Sequence, residues 1–280
     1  MRSAVTDDEI QSYRERGFVV IPDLLDPAEL DRWRKTVDHA VSARASLSVP
    51  GHASADDPNA FAQLSEEQQQ AARYYQKIFT QRVNLWQTDE GVKSLMFEQD
   101  LPRLAADLAG VDGLRIWHDQ ALIKGPYGNP TSFHLDNPYW SFHSADAISV
   151  WVALDDATLE NGCLCYVAGS HLPPLYDNVN IGPEIGAIFA VHSEWKKLPI
   201  VHCPVPAGGA VFHNGLVCHG AGANLTHGYR RAMTCAYMPD GSTFNGLQNV
   251  LTDEQVARLR IGDLLSDEAQ NPLVFSRRLT

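Results

Sequence analysis

The sequence predicts a mainly β fold with flanking helices, built around a double-stranded β-helix, or jelly-roll, core. Between residues 114 and 237, short apolar runs alternate with Gly, Pro and Asn, which is typical of a many-stranded antiparallel sandwich or jelly roll. The chain of 280 residues fits one domain, because β-rich barrels often reach about 200–250 residues. We therefore expect mainly helical support over residues 1–110, the jelly-roll core over 111–240 and a C-terminal helical segment over 241–280.

Capping signals predict two helices near the start of the chain. Thr6 and Glu9 have the spacing of a capping box, and Gly17 should end that helix. A short strand is expected over residues 18–22, and Asp26, followed by a proline, should begin the second helix. We interpret both helices as support for the sheet.

Four further segments complete the predicted outline. Residues 46–59 are small, polar and turn-forming, which indicates a mobile loop. Residues 65–107 and 252–265 carry mainly helical patterns. The segment 171–197 is long for a jelly-roll connection, and long loops of this kind are often lids or binding loops.

Composition bounds the possible partners and the location. The formal net charge is −12, so long-range electrostatics should repel nucleic acid and anionic lipid. Neither a secretory signal pattern nor an apolar run of about 18 residues is visible, and a cytoplasmic location is the expectation. The odd number of cysteines and the absence of a C-x-x-C pair favour buried free thiols over disulfides or zinc, at Cys163, Cys165, Cys203, Cys218 and Cys235.

The tripeptide His134-Leu135-Asp136, with His219 later in the chain, is the strongest functional signal. In a strand, residues i and i+2 point to the same face, so His134 and Asp136 should project together. Two imidazoles and one carboxylate form the 2-His-1-carboxylate arrangement of non-haem Fe(II) oxygenases. An H-x-D tripeptide alone is weak evidence among 11 His and 34 acidic residues, and the alternative is two structural histidines beside a turn aspartate.

An arginine on the following predicted strand points to an acidic co-substrate. Arg230 could hold the far carboxylate of a dicarboxylic acid with two parallel charge-assisted hydrogen bonds. Neighbouring strand residues face opposite ways, so only one of Arg230 and Arg231 can point inward. His213 shares the predicted strand face of His219, where it could be mistaken for a ligand, and a role in the core or beside the ligands is more usual.

Several motifs together resemble the phytanoyl-CoA dioxygenase family of Fe(II)/2-oxoglutarate-dependent oxygenases, over most of the chain. They comprise the ligand set, the arginine spacing, residues 119–124, the Glu-Asn-Gly-Cys-Leu run at 160–164, Gly-Ser-His at 169–171 and residues 237–241. The resemblance implies a jelly roll that uses Fe(II), 2-oxoglutarate and O2 and releases succinate and CO2.

The resemblance also implies roles for individual residues. His134, Asp136 and His219 would be the metal ligands, and the family spacing selects Arg230 over Arg231 for the co-substrate. Similar enzymes contact 2-oxoglutarate through residues at the positions of Lys124, by charge, and Trp151, by packing, although plain sheet packing is the alternative for both.

Two positions bear on the reaction within this family. Related halogenases have Gly or Ala at the carboxylate position, so Asp136 favours hydroxylation or another oxidation over chlorination. The hydroxyl often found two residues after the distal histidine is missing, because this chain has Ala221 there. That departure puts one hydrogen bond to the co-substrate in doubt.

The primary substrate is less constrained. Candidates to line its pocket, with core packing as the alternative, are Gln120, Asn137, Tyr139, Trp140 and Trp86. We expect hydroxylation of an unactivated C–H bond in a small metabolite or natural-product intermediate. Desaturation, epoxidation and cyclisation by the same cofactors remain open, as does a non-catalytic jelly-roll protein that binds metal and a small ligand. The sequence predicts no oligomeric state.

Overall fold

Two antiparallel sheets face each other in the computed structural model, which describes residues 1–44 and 65–278. The seven-stranded major sheet has the order β1-β8-β5-β10-β3-β11, with β2 also paired to β3, and the minor sheet has the order β4-β9-β6-β7. The strands are β1 (Phe18–Ile21), β2 (Thr80–Val83), β3 (Gly113–Lys124), β4 (Thr131–His134), β5 (Ile148–Ala153), β6 (Leu164–Val167), β7 (Ile200–Cys203), β8 (Ala210–Asn214), β9 (His219–Ala221), β10 (Arg230–Pro239) and β11 (Leu273–Ser276). This arrangement confirms the predicted jelly-roll core. The loop expected at 46–59 lies outside the described residues.

Helices flank both sheets in the part of the chain that the structure describes. They are α1 (Asp7–Arg16), α2 (Pro27–Ala43), α3 (Glu66–Gln76), α4 (Glu90–Met96), α5 (Asp100–Ala109), α6 (Ile188–Val191) and α7 (Asp253–Arg258), with 3-10 turns at Leu85–Gln87, Asn137–Tyr139 and Ser193–Lys197. None of the helices in residues 1–44 and 65–278 is both long and apolar enough to cross a membrane.

The capping residues set the ends of the first two helices as predicted. Thr6 and Glu9 form a reciprocal capping box at α1, and Gly17 ends that helix at φ 83°, a left-handed conformation that favours glycine. Asp26 accepts hydrogen bonds from the Ala28 and Glu29 amides at the start of α2. These local signals are strong because they depend only on neighbours in the chain.

Strand β5 shows how one segment serves two cores. Its residues alternate between faces, with Val150 and Val152 packed against the helical layer and Trp151 and Ala153 packed between the two sheets. All six residues of the strand are buried. The continuous apolar run in the sequence therefore reflects a strand covered on both faces.

The C-terminal part departs from the helical segment expected there. The only helix in residues 241–278 of the described chain is α7, and Leu273–Ser276 instead adds strand β11 beside β3. Phe275 and Val274 are buried in the core under the N-terminal helices. Burial against residues that are distant in the sequence decides this strand, and short apolar runs do not reveal such pairing.

The long connection at 171–197 packs onto the minor sheet. Ile188 and Trp195 are buried with Leu135 on its outer face. The Asn178 side chain accepts from the Leu135 amide at 3.1 Å and donates to the Leu135 carbonyl at 2.8 Å. The segment is therefore attached to the chain between His134 and Asp136, and the expected opening of a lid stays a prediction.

All five cysteines are buried and free, which confirms the sequence interpretation. Buried thiols of this kind act as small apolar side chains.

The close approach of Gly162 to Gly222 can be tested by substitution. It lies at φ +86°, and a Cβ there would overlap the carbonyl oxygen of Gly222. Gly162→Ala should therefore lose about 1–2 kcal/mol through the left-handed backbone and a further 1–3 kcal/mol or so through overpacking. The measurement is the free energy of unfolding in urea.

Gly241→Ala is the matched control, because Gly241 has φ +91° but nothing within 4 Å of its added Cβ. It should show only the backbone loss, about 1–2 kcal/mol. Equal losses in the two variants would mean that the approach of Gly162 to Gly222 does not constrain the fold.

Candidate metal and co-substrate site

Strand pairing brings the two histidines together. His134 at the end of β4 is the cross-strand partner of His219 at the start of β9, and their ring centroids lie 4.3 Å apart. Gly220 permits this close approach, because a Cβ at that position would lie 2.8 Å from the Thr131 carbonyl oxygen. Both imidazoles face the space between the sheets.

Asp136 joins them from just beyond the strand. Its backbone has left β4, and its amide donates to the Gly215 carbonyl at 3.1 Å. The carboxylate Oδ1 lies 3.4 Å from His134 Nε2 and 3.8 Å from His219 Nε2. One donor atom from each residue falls within 4.8 Å of the others, so the three side chains that the sequence predicted as a set do converge.

Each imidazole has its tautomer set by its own strand. The Nδ1–H of His134 donates to the Ser132 carbonyl at 2.9 Å, and that of His219 donates to the Val217 carbonyl at 3.1 Å. The Nε2 lone pairs are then left to face Asp136, as in metal-binding histidines whose other nitrogen is hydrogen-bonded. Burial, with the neighbouring His134 charge, lowers the pKa of His219 to about 3, so its ring is neutral.

The carboxylate is ionised. Burial alone would raise the pKa of Asp136, but its close contacts with the His219, His134 and His213 side chains hold it well below its usual range. Two neutral imidazole nitrogens and one carboxylate oxygen suit Fe(II), and the absence of a thiolate argues against a structural zinc site. The donor set of this chain therefore fits a non-haem iron.

Arg230 is buried between the two sheets, and among the described residues no side chain forms an ion pair with it. The residue is 2% exposed, and its guanidinium carbon sits 5.1 Å from the Trp151 ring centroid. Its Nε has no hydrogen-bond partner in the described part of the chain. Burial lowers the pKa of Arg230 to about 10, so the group stays cationic and fits an anionic ligand.

Lys124 sits directly across from Arg230 in the β3–β10 register. Its buried ammonium donates to the carbonyls of Asn129 at 2.7 Å and Gly222 at 2.8 Å. Burial, followed by repulsion from Arg230, lowers the pKa of Lys124 to about 7. The charge of Lys124 is therefore disfavoured beside the charge of Arg230, and a bound dicarboxylate would stabilise both positive charges.

Arg231 points to the other face, as expected from strand alternation, but it is not simply solvated. Its guanidinium pairs with Asp155 at 2.7 Å and with Asp38 at 2.6 Å. The residue ties β10 to helix α2, and it is engaged where Arg230 is not.

The residues proposed from the sequence for substrate contact divide into two groups. Gln120 and Trp140 both contact His118 inside the jelly roll, and Tyr139 donates its hydroxyl to the Val179 carbonyl at 2.7 Å. The pKa of His118, lowered to about 4 mainly by burial, and that of Tyr139, raised to about 12 mainly by burial, both also respond to the Asp136 charge. Gln120 and Trp140 therefore lie beside His118, and both the His118 ring and the Tyr139 phenol are near enough to Asp136 for its charge to act on them.

Asn137 and Trp86 are not brought to this cavity. The Asn137 amide donates to the Phe142 carbonyl and accepts from the Ser144 amide, so both of its polar groups hold a turn. Trp86 packs in the core on the helical side of the major sheet, where its amide donates to the Asp119 carboxylate at 3.0 Å. Loop folding and strand phase decide both positions, and neither is visible in the sequence.

Three polar residues near the site were not assigned from the sequence. The Gln81 amide donates to Gln120, whose own amide lies 3.2 Å from the His118 ring. His213 Nε2 lies 3.2 Å from Asp136 Oδ2. The sequence predicted one strand face for His213 and His219, but this is wrong, because they lie on β8 and β9 in different sheets. The Gln81 contact depends on pairing between distant strands.

The Gly-Ser-His motif is structural. Ser170 accepts a hydrogen bond from the Cys218 amide at 2.8 Å, immediately before His219. His171 donates to the Arg14 carbonyl at 3.1 Å and so contacts the N-terminal helix. Ser170 thus fixes the backbone behind the distal histidine, whereas His171 attaches the motif to α1.

Sequence comparison shows the family. A family model described as phytanoyl-CoA dioxygenase (PhyH) matches residues 13–232. A probable phytanoyl-CoA dioxygenase of Caenorhabditis elegans is 35% identical over 136 residues, which span 45% of this chain and 43% of that protein.

Solved structures agree with this assignment. SnoK, a non-haem alpha-ketoglutarate-dependent carbocyclase from nogalamycin biosynthesis, matches with a TM-score of 0.75 at 26% identity over 96% of both chains. The epimerase SnoN, in complex with Fe3+, alpha ketoglutarate and nogalamycin RO, shares the fold with a TM-score of 0.72 at 23% identity over 96% of this chain and 98% of that one. With its jelly roll and its convergent His, Asp and His side chains, this chain belongs to the phytanoyl-CoA dioxygenase family of Fe(II)/2-oxoglutarate-dependent oxygenases.

Proposed function

We propose that this protein hydroxylates an unactivated C–H bond of a small metabolite or natural-product intermediate. One oxygen atom of O2 enters the product as hydroxyl, and the other enters succinate as 2-oxoglutarate loses CO2. The observation that carries the proposal is the convergence of His134, Asp136 and His219, accompanied by the buried Arg230 over the Trp151 ring between the sheets.

Separate groups of residues are proposed to bind the metal and the co-substrate. We assign His134, Asp136 and His219 as the protein ligands of Fe(II), which supplies the O2 chemistry when bound. Three protein ligands leave coordination positions open for a 2-oxo acid and for O2. The His134 and His219 rings are held by their strand carbonyls, so the ligand geometry exists before the metal arrives.

Arg230 is proposed to bind the far carboxylate of 2-oxoglutarate. Its guanidinium offers paired donors, and the Trp151 ring beneath it limits its freedom and excludes water from one side. Lys124 adds positive charge while holding the Asn129 and Gly222 carbonyls in place. The assignment gives the buried cations a partner and accounts for their presence in the core.

A neutral wall is proposed to receive the primary substrate. We define the amide wall as a chain of contacting side chains. Tyr75 contacts Gln81, Gln81 contacts Gln120, Gln120 contacts His118, and His118 contacts Trp140. The phenol, the two amides, the indole and the neutral His118 ring offer hydrogen bonds and aromatic faces without charge. Such a wall suits a neutral, oxygenated or planar substrate better than a phosphate-rich CoA thioester, because it carries no cation to match phosphate.

Cyclisation is the second candidate outcome. SnoK, described as a carbocyclase, covers 96% of this chain at 26% identity. Hydroxylation and ring closure share the step in which hydrogen is removed from carbon, and they differ in what the substrate radical does next. Product analysis by mass spectrometry separates them, since hydroxylation adds one oxygen atom and oxidative cyclisation removes two hydrogens.

A cytoplasmic location is part of the proposal. It is supported by the five buried cysteines, which are all free thiols, as in proteins of reducing compartments.

The metal assignment predicts large losses of Fe(II) affinity in three variants. His134→Ala, Asp136→Ala and His219→Ala each remove one of three donors, and each should weaken binding by more than the roughly 10–100-fold typical of residues that only support a ligand. Anaerobic calorimetric titration with Fe(II) measures this. His202→Ala, at an exposed position on β7, is the control and should bind as the unaltered protein does. Retained affinity in His219→Ala would refute the distal ligand.

The co-substrate assignment predicts a charge-specific effect at Arg230. Losing one partner of a shielded ion pair typically costs about 2–5 kcal/mol, so Arg230→Ala should weaken 2-oxoglutarate binding about 30-fold or more. Arg230→Lys should recover only part, because an ammonium lacks the planar fork. The measurements are anaerobic calorimetry with 2-oxoglutarate and its apparent constant in succinate formation.

Arg231→Ala is the matched control on the same strand. Its pairs with Asp38 and Asp155 lie on the opposite face, so the variant should lose thermal stability and leave 2-oxoglutarate affinity nearly unchanged. A large loss of affinity at Arg231 with none at Arg230 would reverse the assignment.

The amide wall predicts which compounds stimulate turnover. In a screen of succinate release, neutral oxygenated or aromatic metabolites should stimulate, and acyl-CoA thioesters should not. Gln120→Leu should raise the KM for a stimulating compound about 10-fold, the order expected when one neutral hydrogen bond is lost. Trp86→Phe, on the far face of the sheet, should leave that KM unchanged. Stimulation by acyl-CoA alone would contradict the proposed substrate class.

A further inference from the structure

We propose that His213 and Tyr166 are positioning residues that hold Asp136 so that one carboxylate oxygen faces the metal and the other is withheld from it. The inference rests on the proposed metal site. It concerns which carboxylate oxygen of Asp136 faces the metal, because the identity of the three ligands does not determine this.

The two oxygens of Asp136 have different neighbours. Oδ1 lies 3.4 Å from His134 Nε2 and 3.8 Å from His219 Nε2, among the three convergent donor atoms. Oδ2 lies 3.2 Å from His213 Nε2. Only Oδ2 accepts a hydrogen bond from a ring nitrogen, and this contact leaves Oδ1 directed toward the two Nε2 atoms.

Asp136 needs such an anchor because it lies outside the sheet. It follows the end of β4 and precedes the 3-10 turn at Asn137–Tyr139, so cross-strand pairing does not fix its side chain as it fixes His134. The hydrogen bond from its backbone amide to the Gly215 carbonyl holds only the backbone in place. The hydrogen bond from His213 is the contact that orients the second carboxylate oxygen.

The direction of each hydrogen bond follows from the chemistry of the groups. An ionised carboxylate only accepts, so the proton of His213 must be on Nε2. In the neutral ring, Nδ1 is then an acceptor, and the Tyr166 hydroxyl donates to it at 3.1 Å. The hydrogen bonds from Tyr166 to His213 and from His213 to Asp136 thus select the His213 tautomer that carries its proton on Nε2.

Tyr166 is itself held rigidly. It is fully buried, and its ring stacks on Phe18 at 4.3 Å and faces the His219 ring at 5.6 Å. Phe18 is the cross-strand partner of His213. The first strand of the chain therefore supports both members of the pair, and residues far from the ligands in sequence reach the carboxylate through two hydrogen bonds.

The consequence concerns the number of open positions. A carboxylate that used both oxygens would occupy a position that 2-oxoglutarate and O2 require at a six-coordinate metal. The hydrogen bond from the His213 N–H to Oδ2 would favour metal binding through Oδ1 alone. His213 would thus contribute to function without touching the metal, the co-substrate or the substrate.

The test uses Co(II) as a redox-inert spectroscopic probe of the full-length protein under anaerobic conditions. His213→Leu should weaken Co(II) binding about 10–100-fold, the range for residues that support a ligand, and should change the visible ligand-field spectrum. His213→Gln keeps a donor for Oδ2 and should restore most of the affinity and the spectrum. Tyr166→Phe should shift both in the same direction as His213→Leu, by less.

His171→Leu is the matched control, because it removes another buried imidazole whose hydrogen bond goes to the Arg14 carbonyl. It should lower the unfolding temperature and leave the Co(II) spectrum unchanged. Tyr166→Phe, which removes a single oxygen atom, keeps the test informative even where His213→Leu fails to fold.

Distinct results would overturn the inference. Unchanged Co(II) affinity and spectrum in both His213→Leu and Tyr166→Phe would reduce the pair to core packing. Loss in His213→Gln as large as in His219→Ala would make His213 a ligand. Failure of the proposed function is separate, because the unaltered protein would then show no Co(II) spectrum that depends on His134.

Discussion

The register between strands β4 and β9 is the constraint on which the site depends. It sets His134 opposite His219, and a slip of one residue would turn one imidazole to the far face of the sheet. Gly220 lets the two strands approach, since any side chain would meet the Thr131 carbonyl. The Ser170 hydroxyl fixes the Cys218 amide just before the distal histidine. The geometry of two donors is thus determined by backbone pairing that forms without metal.

Charge is distributed in the cavity in a way that folding alone does not favour. Neutral imidazoles and one ionised carboxylate lie at one end, and buried Arg230 and Lys124 lie at the other. Burying cations without anionic partners is unfavourable, so this arrangement favours the binding of an anion. The aromatic face of Trp151 beneath the guanidinium offsets part of the unfavourable energy and keeps the group oriented. A dicarboxylate would supply the missing anion beside Arg230.

Many residues that carry the family resemblance support the site from outside it. Asp119 accepts from the Leu85 and Trp86 amides and so fastens the turn before the helical layer. The Asn161 side chain closes its turn through the Thr158 amide and the Asp156 carbonyl. These contacts fasten the turn before the helical layer to β3 and close the turn between β5 and β6, without touching the metal-site residues.

The sequence by itself determined what depends on near neighbours and on residue chemistry. Helix ends at Thr6, Gly17 and Asp26, the jelly-roll pattern, the free cysteines and the His, Asp and His set all follow from local periodicity, capping and ligand type. Tertiary structure alone decided that Leu273–Ser276 forms a strand, that Trp86 faces the wrong core for substrate, and that His213 reaches Asp136. The physical reason is that pairing between distant strands sets which way each side chain points, and a shift of one residue reverses it.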